Sequence, residues 1–541
     1  MRNESSEGTA SKVERAWVTT ASVAALAVRL PIAAVTGREP DGWRRALGLG
    51  LRSDGTKFGL SAFGLDLFSG LPEAQRSTPT RKSAETHFAK RWAEFVGGES
   101  EASWVLEHKA HHVECLPGKG DVVVAQFSAD GQLETIEPVM RKQEEPFSDD
   151  QGFGRIAEIF CAAHRATRHL PERERPQALL WGAEQASGEN HASLPKDARL
   201  WDARRISEAC QVSFETMPES TGRFLPPDFR LRRPPGRGVL NVVARLSDDF
   251  RSVDVWLQIH HVATDGAPIQ EMLARLEKAW GLVQPPHFPK DDPAKEARLI
   301  SVQPSAKDRP ISEVVDFINF APLLAWREAM NARHRERIGA SAPIVCALMW
   351  QLARQPEFAG RKFSTAVDVP ATARQARAVA MVGIRPADYS LDGEGFADFS
   401  RDYLRLLEEA RRRTTAGWRM LRQLALLPPW LAQKALKADA ARGRQIFGTV
   451  GVSILKDARV FSAPLEDVGW YEGFLAIGNV SLPSSGGGTV AAITARGDPE
   501  TIRPYPRALR RSMQACAGIS QTVNALRPAA ACFPGFEVAG S

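Results

Sequence analysis

Two adjacent histidines precede an aspartate and a glycine in the run His260-His261-Val262-Ala263-Thr264-Asp265-Gly266. An imidazole titrates near neutrality, so a histidine held at the edge of a cavity can take a proton from a nucleophile and return it to a leaving group. Asp265 is placed to orient the local backbone or to pair with an arginine. The chain has only 11 histidines, and an isolated pair is ordinarily a core or surface feature. Here the fixed spacing to Asp-Gly, and the elements on either side, favour the chemical reading.

Those elements can be read directly. Before the pair, Ser252 to Ile259 puts Val253, Val255, Leu257 and Ile259 on one face by the period of two of a strand, and His261 continues that face. After it, Asp265-Gly266 is turn chemistry and Pro268 suits the first turn of a helix. Ile269, Met272, Leu273, Leu276 and Trp280 then form one apolar helical stripe. A strand end and a helix start can hold His261 rigidly with a ring nitrogen towards a cavity. His260, on the other face, reads as structural support.

The 541 residues exceed one ordinary core, and 43% hydrophobic with 25% charged content is that of a soluble globular chain. The net charge of +6 comes from scattered arginines. It is compatible with a phosphate-bearing co-substrate and gives no arm for nucleic acid. The six cysteines, Cys115, Cys161, Cys210, Cys346, Cys516 and Cys532, show no metal-ligand spacing, which predicts a reduced, cytoplasmic, metal-free protein. The apolar stretch Trp17–Val35 is broken by Arg29 and Pro31 and reads as a core segment rather than a membrane span. There is no P-loop, nucleophile elbow or dinucleotide fingerprint.

Composition divides the chain into a flexible terminus (1–14), a first lobe (15–283), a proline-rich linker (284–309) and a second lobe (310–541). In the second half, Val314–Arg335, Ala342–Ala353 and Phe399–Arg413 read as helices. Phe363–Val369, Gly448–Leu455, Phe474–Val480 and Thr489–Thr494 read as strands, the last entered by the glycine turn Ser484–Gly488. The fold class is α/β (α+β), with mixed sheets covered by helices.

The HHxxxDG run at a strand end resembles the signature of the chloramphenicol acetyltransferase-like superfamily, which includes dihydrolipoyl acyltransferase cores and condensation domains. The resemblance is strong over 240–282, moderate over 310–515 and faint before 230, where a basic, proline-containing stretch runs from Arg223 to Arg237. It implies two lobes forming a pseudo-dimer, with His261 as the general base and Asp265 as a structural residue paired with an arginine. The run GTVGVSIL, followed by FSAPLEDVGWYEGFLAIGNV, is similar to the superfamily segment that supplies an oxyanion-holding hydroxyl. That role falls here on Ser453, with Ile454 replacing the family's asparagine. Where a second motif would follow, the chain reads Ala495-Arg496-Gly497-Asp498-Pro499-Glu500-Thr501, so Arg496 takes the base position and the second lobe is degenerate.

The implied activity is transfer of an acyl group from a thioester, acyl-CoA first, to a hydroxyl, amine or thiol acceptor. No permanently bound cofactor is implied, and one monomer suffices for a complete site. The alternatives are a condensation-type enzyme whose donor rides on a carrier protein, and an inactive scaffold of the same fold. Two further runs look like motifs. His111-His112 lacks the spaced aspartate and reads as a pair beside a turn. Asp467-Val468-Gly469-Trp470 has some likeness to the DFGWG signature of plant-type acyltransferases and reads as a structural loop.

Overall fold

A computed structural model of the protein describes residues 57–71, 79–99, 103–108, 113–139, 150–167, 203–218, 220–229, 232, 237–261, 263–264, 266–292, 294, 298–304, 310–333, 344–369, 378–390, 395–410, 448–455, 457–462 and 471–530. Asp265, Trp17–Val35, His111-His112 and Asp467–Trp470 lie outside them.

The first half runs β1 (Lys57–Asp66), α1 (Arg81–Val96), β2 (Trp104–His108), β3 (Val113–Pro117), β4 (Val122–Phe127), β5 (Leu133–Pro138), α2 (Asp150–Thr167), α3 (Ala203–Glu208), β6 (Cys210–Thr216), β7 (Leu240–Leu246), β8 (Ser252–His260) and α4 (Gly266–Trp280). The second half runs β9 (Arg298–Pro304), β10 (Pro310–Ile318), α5 (Ala321–Arg333), α6 (Ile344–Leu352), β11 (Phe363–Val369), β12 (Ala378–Ile384), a helix α7 over 395–410, β13 (Val450–Ile454), β14 (Phe461–Ser462), β15 (Gly473–Ile477), β16 (Leu482–Pro483), β17 (Thr489–Gly497), α8 (Pro499–Ile502) and α9 (Tyr505–Ala530).

Two large mixed sheets repeat one topology. The first has the order β14-β1-β8-β7-β6-β4-β5 and the second β9-β10-β17-β15-β13-β11-β12, with β16 on β17. In the first, β1/β8 and β8/β7 are antiparallel, β7/β6 and β6/β4 parallel, and β4/β5 antiparallel. In the second, β10/β17, β17/β15, β15/β13, β13/β11 and β11/β12 follow the same sequence of orientations. The position of β8, which precedes the histidine pair, is therefore taken in the second sheet by β17. The strand β14 crosses between the halves, pairing Ser462 with Gly59 and Phe461 with Leu60 on β1.

Alternation along the paired central strands assigns each face. On β8, Val253, Val255, Leu257 and Ile259 join a core with Phe88 and Trp92 of α1 and Ile269, Met272 and Leu276 of α4. Thr80 caps α1, accepting from the Ser83 backbone while Ser83 bonds back to Thr80. The opposite face sends Trp256 into a layer with Phe63, Phe224, Phe288, Val315, Phe317, Val490 and Ala492, so the two sheets pack against each other here. Phe224 and Phe288 lie 4.5 Å apart and Phe63 meets Trp256 edge-on at 5.4 Å. On β17, Ala491, Ile493 and Ala495 point instead to the second core under α5, α6, α7 and α9.

The strand expectations over 363–369, 448–455, 474–480 and 489–494 correspond to β11, β13, β15 and β17. The helix expected over Val314–Arg335 needs correction: residues up to Ile318 form β10, and α5 begins at Ala321. Val314 and Ile318 are buried in the second core and Val315 and Phe317 in the inter-sheet layer, so both faces are apolar and the period of two is hidden. Within the stretch read as a linker, residues 298–304 form β9 and Phe288 is fully buried. Among the described residues no helix is long and apolar enough to cross a membrane.

Three arginines of the basic stretch, Arg223, Arg232 and Arg237, form ion pairs. Arg223 holds Asp254 through Nε and Nη2 at 2.6 and 2.7 Å, Arg232 pairs with Glu215 at 2.8 Å, and Arg237 with Glu208 at 3.3 Å. Asp254 is fully buried and also accepts from the Gly64 amide at 2.8 Å. Gly64 adopts φ +69° at the irregularity between Ala62 and Leu65 in β1. Removing one partner of such a pair strands a charge in the interior. Arg223→Met is expected to lower the unfolding free energy by about 3 kcal/mol. Urea titration checks this, and a loss under about 0.5 kcal/mol, the range of an ordinary surface change, would contradict it.

Candidate active site at the seam between the sheets

His261 sits one residue beyond β8, and its ring meets Phe58 edge-on with centroids 5.2 Å apart. Phe58 is paired with Ile259, so His261 packs on the helix-covered side of the first sheet, the side on which the alternation puts it. The Ala263 amide donates to the His260 carbonyl at 3.0 Å, turning the chain towards α4. His260 belongs to the other face, with Gln258 and Trp256, and its amide donates to the Val239 carbonyl at 3.0 Å. Both imidazoles are largely buried.

Ser453 lies on β13, in register with Ala476 on β15, which is itself opposite Thr494 on β17. Its neighbours Val452 and Ile454 face the second core, so Ser453 faces away from it, towards the first lobe, and is half-buried. Ala476 and Phe474, on this same face, are buried in the cluster that contains Phe58 and Ala263. Two residues after Ser453, Leu455 packs so closely on Gly266 that an added Cβ would stand 2.9 Å from its Cδ1. The end of β8 and the end of β13 thus abut one apolar cluster. From α4, Glu277 accepts from Arg459 at 3.0 Å and Gln270 donates to Asp457 at 2.9 Å, tying the helix after the motif to the segment after β13.

A polar group of which the sequence reading gives only Arg496 lies beside this cluster. Glu313 on β10 stands opposite Arg496 on β17, and the Ser462 hydroxyl donates to its carboxylate. Arg496 donates through Nη1 to the Lys57 carbonyl at 2.8 Å. With Gly59 and Gln258 these residues line a recess of about 30 Å3, room for about one or two waters and too small for an acyl chain. The one sequence signal was a glutamate inside an apolar strand. Arg496 lies on the inter-sheet face, as His260 does. The position on the helix-covered side, which His261 occupies after β8, falls on Gly497, the last residue of β17. The second strand end therefore carries no imidazole on either face. Asp498 serves as the N-cap of α8, accepting from the Glu500 and Thr501 amides.

Four of the described cysteines are held protonated. Burial pushes the Cys161 thiol up to about 11 and those of Cys210, Cys346 and Cys516 up to about 12, so none is a thiolate at neutral pH. Among the described residues no group of three or more His, Cys, Asp or Glu could hold a metal ion.

No family model matches the chain, and no curated relative matches it. Among solved structures it is similar to the wax ester synthase/diacylglycerol acyltransferase from Marinobacter aquaeolei VT8, with 10% identity over 89% of this chain and 99% of that one, at a TM-score of 0.35. It is similar to TRI3 trichothecene 15-O-acetyltransferase from Fusarium sporotrichioides, with 9% identity over 88% and 94% of the two chains, TM-score 0.41. F. graminearum TRI101, complexed with coenzyme A and deoxynivalenol, shows 11% identity over 85% and 94%, TM-score 0.37. At these scores no residue role passes from those proteins to this one.

Burial raises the Glu313 carboxyl above the ordinary carboxylate range, against the opposing pull of Arg496 and Ser462. A carboxyl raised in the folded state binds protons there that the unfolded chain has already released, so its contribution to stability falls as pH rises. Relative to Glu313→Gln, the wild type is expected to lose stability as pH rises from roughly 4.3 towards neutrality. Denaturant titrations of both proteins across that window check the sign, and a widening advantage for the wild type would contradict it.

Proposed function

We propose that the protein transfers an acyl group from a thioester, acyl-CoA first, to a small acceptor bearing a hydroxyl, amine or thiol, with His261 as general base. The observation that carries this reading is the HHxxxDG run, which places His261 at a strand end in the cluster reached by β13 of the other lobe. Ser453 is assigned the oxyanion-holding hydroxyl. Asp265 keeps the structural role that the motif implies, Gly266 opens α4, and His260 supports the strand end. The division into lobes at 284–309 belongs to the same proposal.

The steps balance without a covalent enzyme intermediate. One ring nitrogen of His261 takes the acceptor's proton as the acceptor lone pair forms a bond to the thioester carbonyl carbon. The carbonyl π electrons become an oxyanion, to which the Ser453 hydroxyl donates. Collapse restores the carbonyl and breaks the carbon–sulfur bond, and the imidazolium returns its proton to the leaving thiolate. Base catalysis of this kind contributes about two to four powers of ten, and one oxyanion donor about two to three. Holding two substrates in register supplies the rest.

A panel of acyl-CoA donors and acceptors, followed by mass spectrometry for free CoA and acylated product, tests the reading. His261→Ala is expected to lose at least about 100-fold in turnover with an unchanged melting transition. Ser453→Ala is expected to lose about 10²-fold, chiefly in kcat. Full turnover by His261→Ala would end the proposal. Adding an acyl-carrier protein in competition with acyl-CoA decides which thioester is preferred.

A further inference from the structure

The second lobe lacks an imidazole at the strand end that corresponds to the motif, yet that strand end is closely involved with the first. Arg496, near the end of β17, reaches across the seam and donates to the Lys57 carbonyl at 2.8 Å. Lys57 is the first residue of β1 and is paired with His260 on β8. The next residue is Phe58, whose ring is the edge-on neighbour of His261 at 5.2 Å. A line of contacts therefore runs from the Arg496 guanidinium through the Lys57–Phe58 backbone and the Phe58 ring to His261.

Three further features make this a built arrangement. Glu313 is buried opposite Arg496 and gives the guanidinium a counter-charge. The Ser462 hydroxyl donates to Glu313, and Ser462 itself is paired with Gly59, two residues beyond Lys57 on the same strand. Thr494, two residues before Arg496 on the same face, donates through its hydroxyl to the Phe461 carbonyl. The second sheet thus holds the start of β1 and its added edge strand β14 by side chains from β10 and β17.

We infer that Arg496 is a positioning residue for His261: the second lobe uses the arginine near its own degenerate strand end to fix the β1 backbone and, through Phe58, the orientation of the imidazole. A guanidinium suits this role because it offers several donors in a rigid plane and can satisfy a carboxylate and a carbonyl together. The inference rests on the proposed role of His261 as base, but its first readout does not need turnover.

The experiment labels the full-length chain with 13C at the histidine Cε1 position and assigns the His261 resonance with His261→Gln. Arg496→Met alone would leave Glu313 buried without its counter-charge. The main variant is therefore Glu313→Gln/Arg496→Met, which is neutral across the seam, leaves an acceptor for Ser462 and removes the donor to Lys57. It is expected to melt cooperatively, to displace or split the His261 resonance while His164 and His287 stay in place, and to lower kcat about tenfold with KM changed less than about twofold. Arg496→Lys keeps a cation beside Glu313 without the planar fork, and the same displacement to a smaller degree is expected. It serves as the readout should the double variant fail to fold. An unmoved His261 resonance in a folded variant would overturn the tether. A displaced resonance in the variant, with no acyl transfer by the wild type, would keep the tether and end the acyl-transfer reading, so the two failures are distinguishable.

Discussion

The registration of β8 against β1 and β7 decides where every chemically relevant side chain points. A slip by one residue would turn Val253, Val255, Leu257 and Ile259 towards the seam and place Asp254, Trp256 and Gln258 under the helices. The buried carboxylate of Asp254 pins the register. It meets the guanidinium of Arg223 on one side and the amide of Gly64 on the other, at the irregularity in β1. With that register set, Trp256 enters the inter-sheet aromatic layer, His260 faces the seam and His261 lands on Phe58.

A second consequence is a division of labour between two sheets of one topology. The strand order and orientations of the first sheet recur in the second, so β8 and β17 occupy the same place. β8 leads into a histidine pair. β17 ends in Arg496 and Gly497, ahead of a helix capped by Asp498. The first strand end carries the proposed base, while the second supplies polar groups that hold its neighbour across the seam. Between them, Phe474 and Ala476 of the second sheet complete the cluster around Phe58 and Ala263, and Leu455 closes on Gly266.

Much of this was legible in the sequence, and the parts that were not share physical causes. The strand before the histidines and the stripe of α4 are one-sided elements, and their periods of two and 3.6 stand out. The strand over Phe363–Val369 was read to the residue. β10 was misread because Val314 and Ile318 serve one core and Val315 and Phe317 the other, leaving no polar face to reveal the alternation. β14 has two residues, too short for any period, and pairs with β1, some four hundred positions earlier. Arg496 was singled out from its motif position, but its bond to Lys57, at a separation of 439, is written in no local pattern. Ser453 shows the limit of motif reading. Its place on the face turned towards the first lobe follows from register with Ala476, which only the folded sheet supplies.

The proposed general base requires a nitrogen of His261 beside the acceptor and close to the carbonyl of a bound acyl thioester. Chloroacetyl-CoA presents an electrophilic carbon next to that carbonyl, so a base within reach is alkylated in place. Incubation of the full chain with this reagent, followed by proteolysis and peptide mass spectrometry, is expected to place one adduct on His261, with saturable kinetics and protection by an unreactive acyl-CoA. An adduct confined to other residues, or labelling that no acyl-CoA suppresses, would contradict the account.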